Sequence, residues 1–111
     1  MSFQKKNIVN VLLVDIDFES RERFLRLSKR YLKDKIDVRW TAENVKDAIN
    51  QINQFSPDLV YIDPDLNSEN GFNIIHHFKD FMKFQFVIVS KNENYAVEAL
   101  KYKALDYLVK P

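Results

Sequence analysis

Four short runs of bulky, mostly apolar residues dominate this sequence, and each stops at a residue able to do chemistry. Ile8–Val14 stops at Asp15, Leu59–Ile62 at Asp63, Phe84–Val89 at Ser90 and Asp106–Val109 at Lys110. Runs of this length, rich in β-branched and aromatic side chains, predict strands covered on both faces. Between them the period becomes helical. Phe24, Leu27 and Tyr31, with Leu25 and Leu32, recur at helical spacing after Glu19. Asn44 is placed to cap a helix carrying Val45, Ala48, Ile49, Ile52 and Phe55 on one face. Phe72, Ile75, Phe78, Lys79 and Met82 predict a third helix, and Tyr95–Lys101 a short fourth with Ala96, Val97, Ala99 and Leu100 as its small and apolar positions. Ile36–Thr41 alternates apolar and polar residues, as a half-exposed edge strand does. Strands alternating with helices imply an α/β fold with a parallel sheet, right-handed crossovers and helices on both faces.

The chain of 111 residues is one domain's worth, and 46% apolar residues suffice for a globular core. With 17 basic and 16 acidic residues the net charge is +1, so no field of one sign draws it to nucleic acid or an anionic membrane. It has no cysteine, which removes disulfides, thiolate catalysis and zinc–cysteine sites. His76 and His77 are adjacent, point apart on a helix and read as surface residues. No apolar run is long enough to span a bilayer, and the first residues, MSFQKKN, lack a signal-peptide core, so the expected location is the cytoplasm.

A parallel sheet brings the C-terminal ends of its strands to one edge, where ligands of open α/β sheets bind. If the first and third strands are neighbours, Asp15 and Asp63 converge there. At about 4 Å and an effective dielectric near 20, two carboxylates repel by roughly 4 kcal/mol. Such a pair persists when a cation shares it, either a hard divalent metal such as Mg²⁺ or the ammonium of Lys110. A carboxylate beside a cation, with a hydroxyl and an ammonium nearby, suits a phosphoryl group that the carboxylate attacks.

The order of elements and the joint pattern VLLVD, YID, Asn70-Gly71, VIVS and DYLVKP resemble the receiver domains of two-component response regulators, across essentially the whole chain. The tail from Tyr95 to Pro111 is similar to receivers that precede a LytTR-type DNA-binding domain. The resemblance implies a flavodoxin-like doubly wound sheet of five parallel strands in the order 2-1-3-4-5, over residues 1–111. It implies that Asp63 accepts a phosphoryl group from a histidine kinase and that Mg²⁺ is held by Asp15, Asp63 and the backbone carbonyl of Asp65. Ser90 is then the switch hydroxyl, Tyr107 the coupled aromatic and Lys110 the ion-pairing lysine. A signalling switch rather than an enzyme is implied, along with homodimer formation and a DNA-binding output domain beyond residue 111. Because the sequence ends after the last strand, a terminal fifth helix is expected to be missing through shortening of the chain, rather than replaced by a partner.

Departures from the family pattern keep other readings open. The second of the two consecutive acids usual in receivers is Ile16 here, and Asp17, on the same face as Asp15, is the candidate replacement ligand. Pro64 follows the acceptor directly, Asp65 adds a negative charge, and Asn67 stands where a proline is common. One alternative is a phosphorylation-independent pseudo-receiver used for protein–protein contact. Another, from Asp15-Ile16-Asp17, is a haloacid-dehalogenase-like phosphatase, although Glu19 and the short chain depart from that pattern. Asp17 could equally cap the first helix, and Ser90 could serve only its local backbone. Gly71, the only glycine, is expected to adopt a turn conformation that other residues resist.

Overall fold

The computed structural model describes residues 7–110; residues 1–6, most of the MSFQKKN segment, and residue 111, the end of DYLVKP, lie outside the described residues. In chain order the elements are β1 (Val9–Val14), α1 (Phe18–Tyr31), β2 (Ile36–Ala42), α2 (Val45–Phe55), β3 (Leu59–Ile62), β4 (Asp65–Leu66), β5 (Glu69–Asn70), α3 (Phe72–Phe78), β6 (Gln85–Ser90), a 3-10 turn (Glu93–Tyr95), α4 (Ala96–Lys101) and β7 (Asp106–Val109). The main sheet is parallel, in the order β2-β1-β3-β6-β7. Counting only its own strands, that is the expected 2-1-3-4-5. The chain leaves β1 toward β2 on one side and returns to β3 on the other, so the crevice forms at the ends of β1 and β3.

Strand alternation divides the core. Leu12, Val14, Val60, Ile62, Phe86 and Ile88 pack with α2 and α3 in the larger cluster, whereas Val11, Leu59 and Val87 face the α1 side. β2 is an edge strand, as its alternation predicts, and a bulge leaves Arg39 without a partner between Val38 and Trp40. Trp40 stacks on Phe55 of α2 with ring centroids 5.1 Å apart. Asn44 caps α2 as expected, accepting from the Asp47 amide at 2.8 Å.

Several expectations are corrected. α1 buries only Ser28 fully, and Leu27, Tyr31 and Leu32 are exposed. Phe24 instead covers that face, edge-on to Tyr61 at 4.7 Å. A groove runs beside α1, lined by Phe24, Leu27, Val89 and Leu108 and reaching Asp63 and Lys110. α3 ends at Phe78, where the Phe81 amide closes a tight turn on the Phe78 carbonyl, and Met82 packs against the core from outside the helix. Tyr95 belongs to the 3-10 turn before α4, and Val97 and Leu100 are 79% and 80% exposed; Ala99 is the buried contact of that helix. The stretch after Asp63 is a hairpin, β4 against β5, with Asn67 in the left-handed region at φ 60°.

Gly71 is explained by space and not by conformation. Its φ of −61° and ψ of −22° suit any residue. A Cβ there would lie 2.8 Å from Ile62 Cγ2, 2.9 Å from the Asp63 carbonyl oxygen and 3.0 Å from Pro64 Cα. The start of α3 thus lies against the end of β3, with the Gly71 amide donating to the Pro64 carbonyl at 2.8 Å. Gly71→Ala is expected to destabilise the domain by about 1–3 kcal/mol, a typical cost of overpacking. The measurement is a urea denaturation midpoint, and an unchanged midpoint would show that the β3–α3 junction yields freely.

Candidate functional site

The register sets the site. Val14 of β1 pairs with Ile62 of β3, so the next residues, Asp15 and Asp63, emerge side by side, and the Asp63 amide donates to the Val14 carbonyl at 2.9 Å. β7 lies against β6 with Val109 opposite Ser90, and the Lys110 amide donates to the Ser90 carbonyl at 2.9 Å. That brings the Lys110 ammonium between the acids: Nζ is 2.9 Å from Asp15 Oδ2 and 2.6 Å from Asp63 Oδ2. All three side chains are at most 10% exposed. The convergence of Asp15, Asp63 and Lys110 read from the strand ends is therefore present, with the lysine as the shared cation.

Each acid is held further. Asp15 Oδ1 accepts from the Asp17 amide at 2.9 Å and Oδ2 from the Ser20 hydroxyl at 2.8 Å. Asp63 Oδ1 accepts from the Asp65 amide at 2.9 Å. Burial pushes the Asp63 carboxyl above its ordinary pKa, and the hydrogen bonds from Lys110 and the Asp65 amide oppose this without cancelling it. For Lys110, burial acts downward, but hydrogen bonds to Asp63 and Asp15 outweigh it and hold the ammonium above its ordinary value. Lys110 therefore stays charged at neutral pH.

The other expected residues divide. Asp17 is the N-cap of α1, its Oδ1 accepting from the amides of Glu19 and Ser20 at 3.0 and 3.4 Å, so its carboxylate serves the helix start. Ile16 packs against the core cluster. Ser90 is fully buried, and its Oγ accepts from the Asn92 amide at 3.0 Å within its own loop. The Tyr107 hydroxyl donates to the Asn92 carbonyl, which links Tyr107 to Ser90 through one residue. Asp65 is exposed, and its Oδ1 accepts from the Tyr95 hydroxyl at 2.6 Å. Both histidines are exposed, with His76 Nε2 3.6 Å from Glu98 of α4.

Sequence reasoning missed Ser20, Arg21 and Tyr95. Ser20 had a legible signal, since it lies in the first turn of the helix that Asp17 caps. Arg21 donates to the Asp15 carbonyl at 2.8 Å and pairs with Glu43 at 3.0 Å, fastening the β1–α1 loop to the end of β2. Its partners, like those of Tyr95, are set by the sheet order and leave no local trace.

Removing one member of a buried ion pair strands the other. Lys110→Met is expected to cost about 3 kcal/mol or more in stability at neutral pH. Denaturation midpoints should show the deficit shrinking at acid pH, as Asp63 takes up a proton and the repulsion with Asp15 ends. A deficit that is flat with pH would mean that Lys110 acts through packing alone.

Comparison with known proteins follows the same lines. A profile described as the response regulator receiver domain matches residues 11–111. The sensory transduction protein LytT of Bacillus subtilis strain 168 is 38% identical over 106 residues, covering 94% of this chain and 43% of that protein. LytT of Bacillus cereus is 30% identical over 105 residues, covering 94% and 42%. The chain thus spans less than half the length of these relatives. Among solved structures, the response regulator domain of Thermotoga maritima CheB superposes with a TM-score of 0.81 at 21% identity, covering 95% of this chain and 80% of that one. The Thermotoga maritima response regulator TrrA, in complex with Mg(2+)-BeF, gives 0.72 at 23%, covering 93% and 87%. At those identities the likeness speaks for the fold, and the profile match speaks for the family. Since that match takes in the four strand ends at Asp15, Asp63, Ser90 and Lys110, the chain belongs to the receiver domains of two-component response regulators.

Proposed function

We propose that Asp63 is the phosphoacceptor of this receiver and takes its phosphoryl group from a histidine kinase. The observation that carries the reading is the holding of Asp63 at the end of β3, one oxygen on the Asp65 amide and the other on the Lys110 ammonium. A carboxylate oxygen attacks phosphorus while the bond from phosphorus to the donor's imidazole nitrogen breaks. The leaving nitrogen keeps the electron pair. Lys110, bonded to that carboxylate, would balance the charge that gathers on the phosphoryl oxygens.

Magnesium, general in the family, fits the donors present. Among the described residues, Asp15 Oδ1 and Asp63 Oδ1 each accept one backbone amide bond. Mg²⁺ ordinarily keeps several waters and uses one or two carboxylates. Asp15 and Asp63 would hold it with the Asp65 backbone carbonyl, and the bound ion would supply charge neutralisation. Among the described residues no group of three or more His, Cys, Asp or Glu side chains is gathered for a metal. With Asp17 engaged as a cap and Ile16 apolar, the reading is a weaker magnesium site than one with two consecutive acids.

Ser90 and Tyr107 are the proposed switch pair, supported by their link through Asn92. The LytT relatives extend well beyond the matched length. A DNA-binding output domain in the whole protein, homodimer formation and a cytoplasmic location complete the reading. No helix among the described residues is long and apolar enough to cross a membrane.

Incubation with Mg²⁺ and phosphoramidate, read by intact mass, should add one phosphoryl group to the parent and none to Asp63→Asn. A folded parent that gains nothing would shift the function to phosphorylation-independent contact. Asp63→Asn should also melt higher than the parent near neutral pH. Asp63 binds its proton more tightly folded than unfolded, so the folded state loses stability as pH rises through the folded pKa. Separately, Ile16→Asp should tighten Mg²⁺ binding in a titration, at some cost in packing. Unchanged affinity would mean that position 16 does not face the metal.

A further inference from the structure

Asp65 lies just beyond the proposed acceptor, and its amide is hydrogen-bonded to Asp63 Oδ1, so its backbone is fixed beside that carboxylate. Its own carboxylate is exposed. An exposed acid on a fixed backbone can swing toward Asp63 and repel the phosphoryl group of a donor. Here one of its oxygens is engaged. The Tyr95 hydroxyl, 30 residues on, donates to Asp65 Oδ1 at 2.6 Å, a short bond of the strong, charge-assisted kind. The hydrogen bond to Asp65, with burial, pushes the Tyr95 phenol up to about 12, so it remains a donor across the neutral range.

The donor is itself fixed. The Tyr95 ring packs against Phe72 with centroids 5.8 Å apart, and Phe72 is the fully buried first residue of α3. Tyr95 ends the 3-10 turn, which begins where the Asn92 side chain accepts from the Asn94 amide at 2.9 Å. The same Asn92 bonds Ser90 and Tyr107 through its backbone. One phenol thus joins the loop after the acceptor to the loop after Ser90.

We propose that Tyr95 is a positioning residue for phosphoryl transfer at Asp63: its hydroxyl holds the Asp65 carboxylate against the β6–α4 connection and keeps that charge off the donor's approach. The inference rests on Asp63 as the acceptor. Tyr95 touches neither donor nor acceptor and acts only through Asp65. Phe at position 95 would keep the ring on Phe72 and lose only the hydrogen bond.

The test follows phosphoryl uptake by intact mass in the 111-residue chain with Mg²⁺. Acetyl phosphate and the less negatively charged phosphoramidate serve as donors. Tyr95→Phe should slow uptake about three- to fivefold with acetyl phosphate, the scale of one exposed charge interaction, and less with phosphoramidate. Tyr95→Phe combined with Asp65→Asn should regain the parental rate. Equal rates in the parent and Tyr95→Phe would overturn the inference while leaving Asp63 as acceptor. So would a slowing equal for both donors or persisting with Asp65→Asn, since either would mark a packing role. A folded parent that, like Asp63→Asn, takes up nothing would overturn the acceptor reading and this inference with it.

Discussion

Two carboxylates lie buried at adjacent strand ends because one ammonium stands between them. Without it, their repulsion at contact distance is of the order of several kcal/mol, a large share of a small domain's stability. The ammonium comes from the far end of the sheet, 95 residues from Asp15 and 47 from Asp63. It arrives only because β7 pairs with β6 and the Lys110 amide closes on the Ser90 carbonyl. Adding the last strand and neutralising the acid pair are therefore one structural event. The edge that gathers Asp15, Asp63 and Lys110 is complete only when the sheet is complete.

The parts of this arrangement that local chemistry dictates were legible. β-branched runs gave away the strands, Asn44 the start of α2, and the polar residue after each run the strand ends that meet. What stayed hidden depends on contacts between distant segments. The strands β4 and β5 are two residues each and largely polar, too short for any periodicity. Val97 and Leu100 follow an apolar helical spacing, yet the small Ala99 is what α4 turns inward. Apolar spacing marks a helix without saying which of its residues find a neighbour. Asp17 and Ser90 show the converse: both were visible as candidates, and in both a nearby backbone amide occupies the side chain.

Gly71 explains how the loop after Asp63 stays compact. β3, Pro64, the hairpin and α3 follow one another with almost no slack, and the absent Cβ lets the start of α3 lie on the Asp63 carbonyl. Pro64 lacks an amide proton, but its carbonyl accepts from Gly71. Glu69 of the hairpin accepts from the Val45 amide at 3.2 Å, tying the loop to the start of α2 as well. The backbone that carries Asp63 is thus pinned from several directions, and the freedom left at the site belongs to side chains.

Those side chains carry an unusual distribution of charge for the family. Ile16 stands where receivers usually carry an acid, while Asp65 adds one in the loop that follows Asp63. Asp15, Asp63 and Lys110 together carry one net negative charge, so the draw on a divalent cation is that of two partly neutralised carboxylates. One oxygen of Asp65 is engaged by the Tyr95 hydroxyl on the β6–α4 side. On the proposed reading, an apolar residue at position 16 lowers the attraction for a cation, and an acid at position 65 adds repulsion for an incoming phosphoryl group. Both effects slow uptake unless the second is masked. The Tyr95 hydroxyl bonds one oxygen of that acid, and this is the contact through which the proposed masking would act.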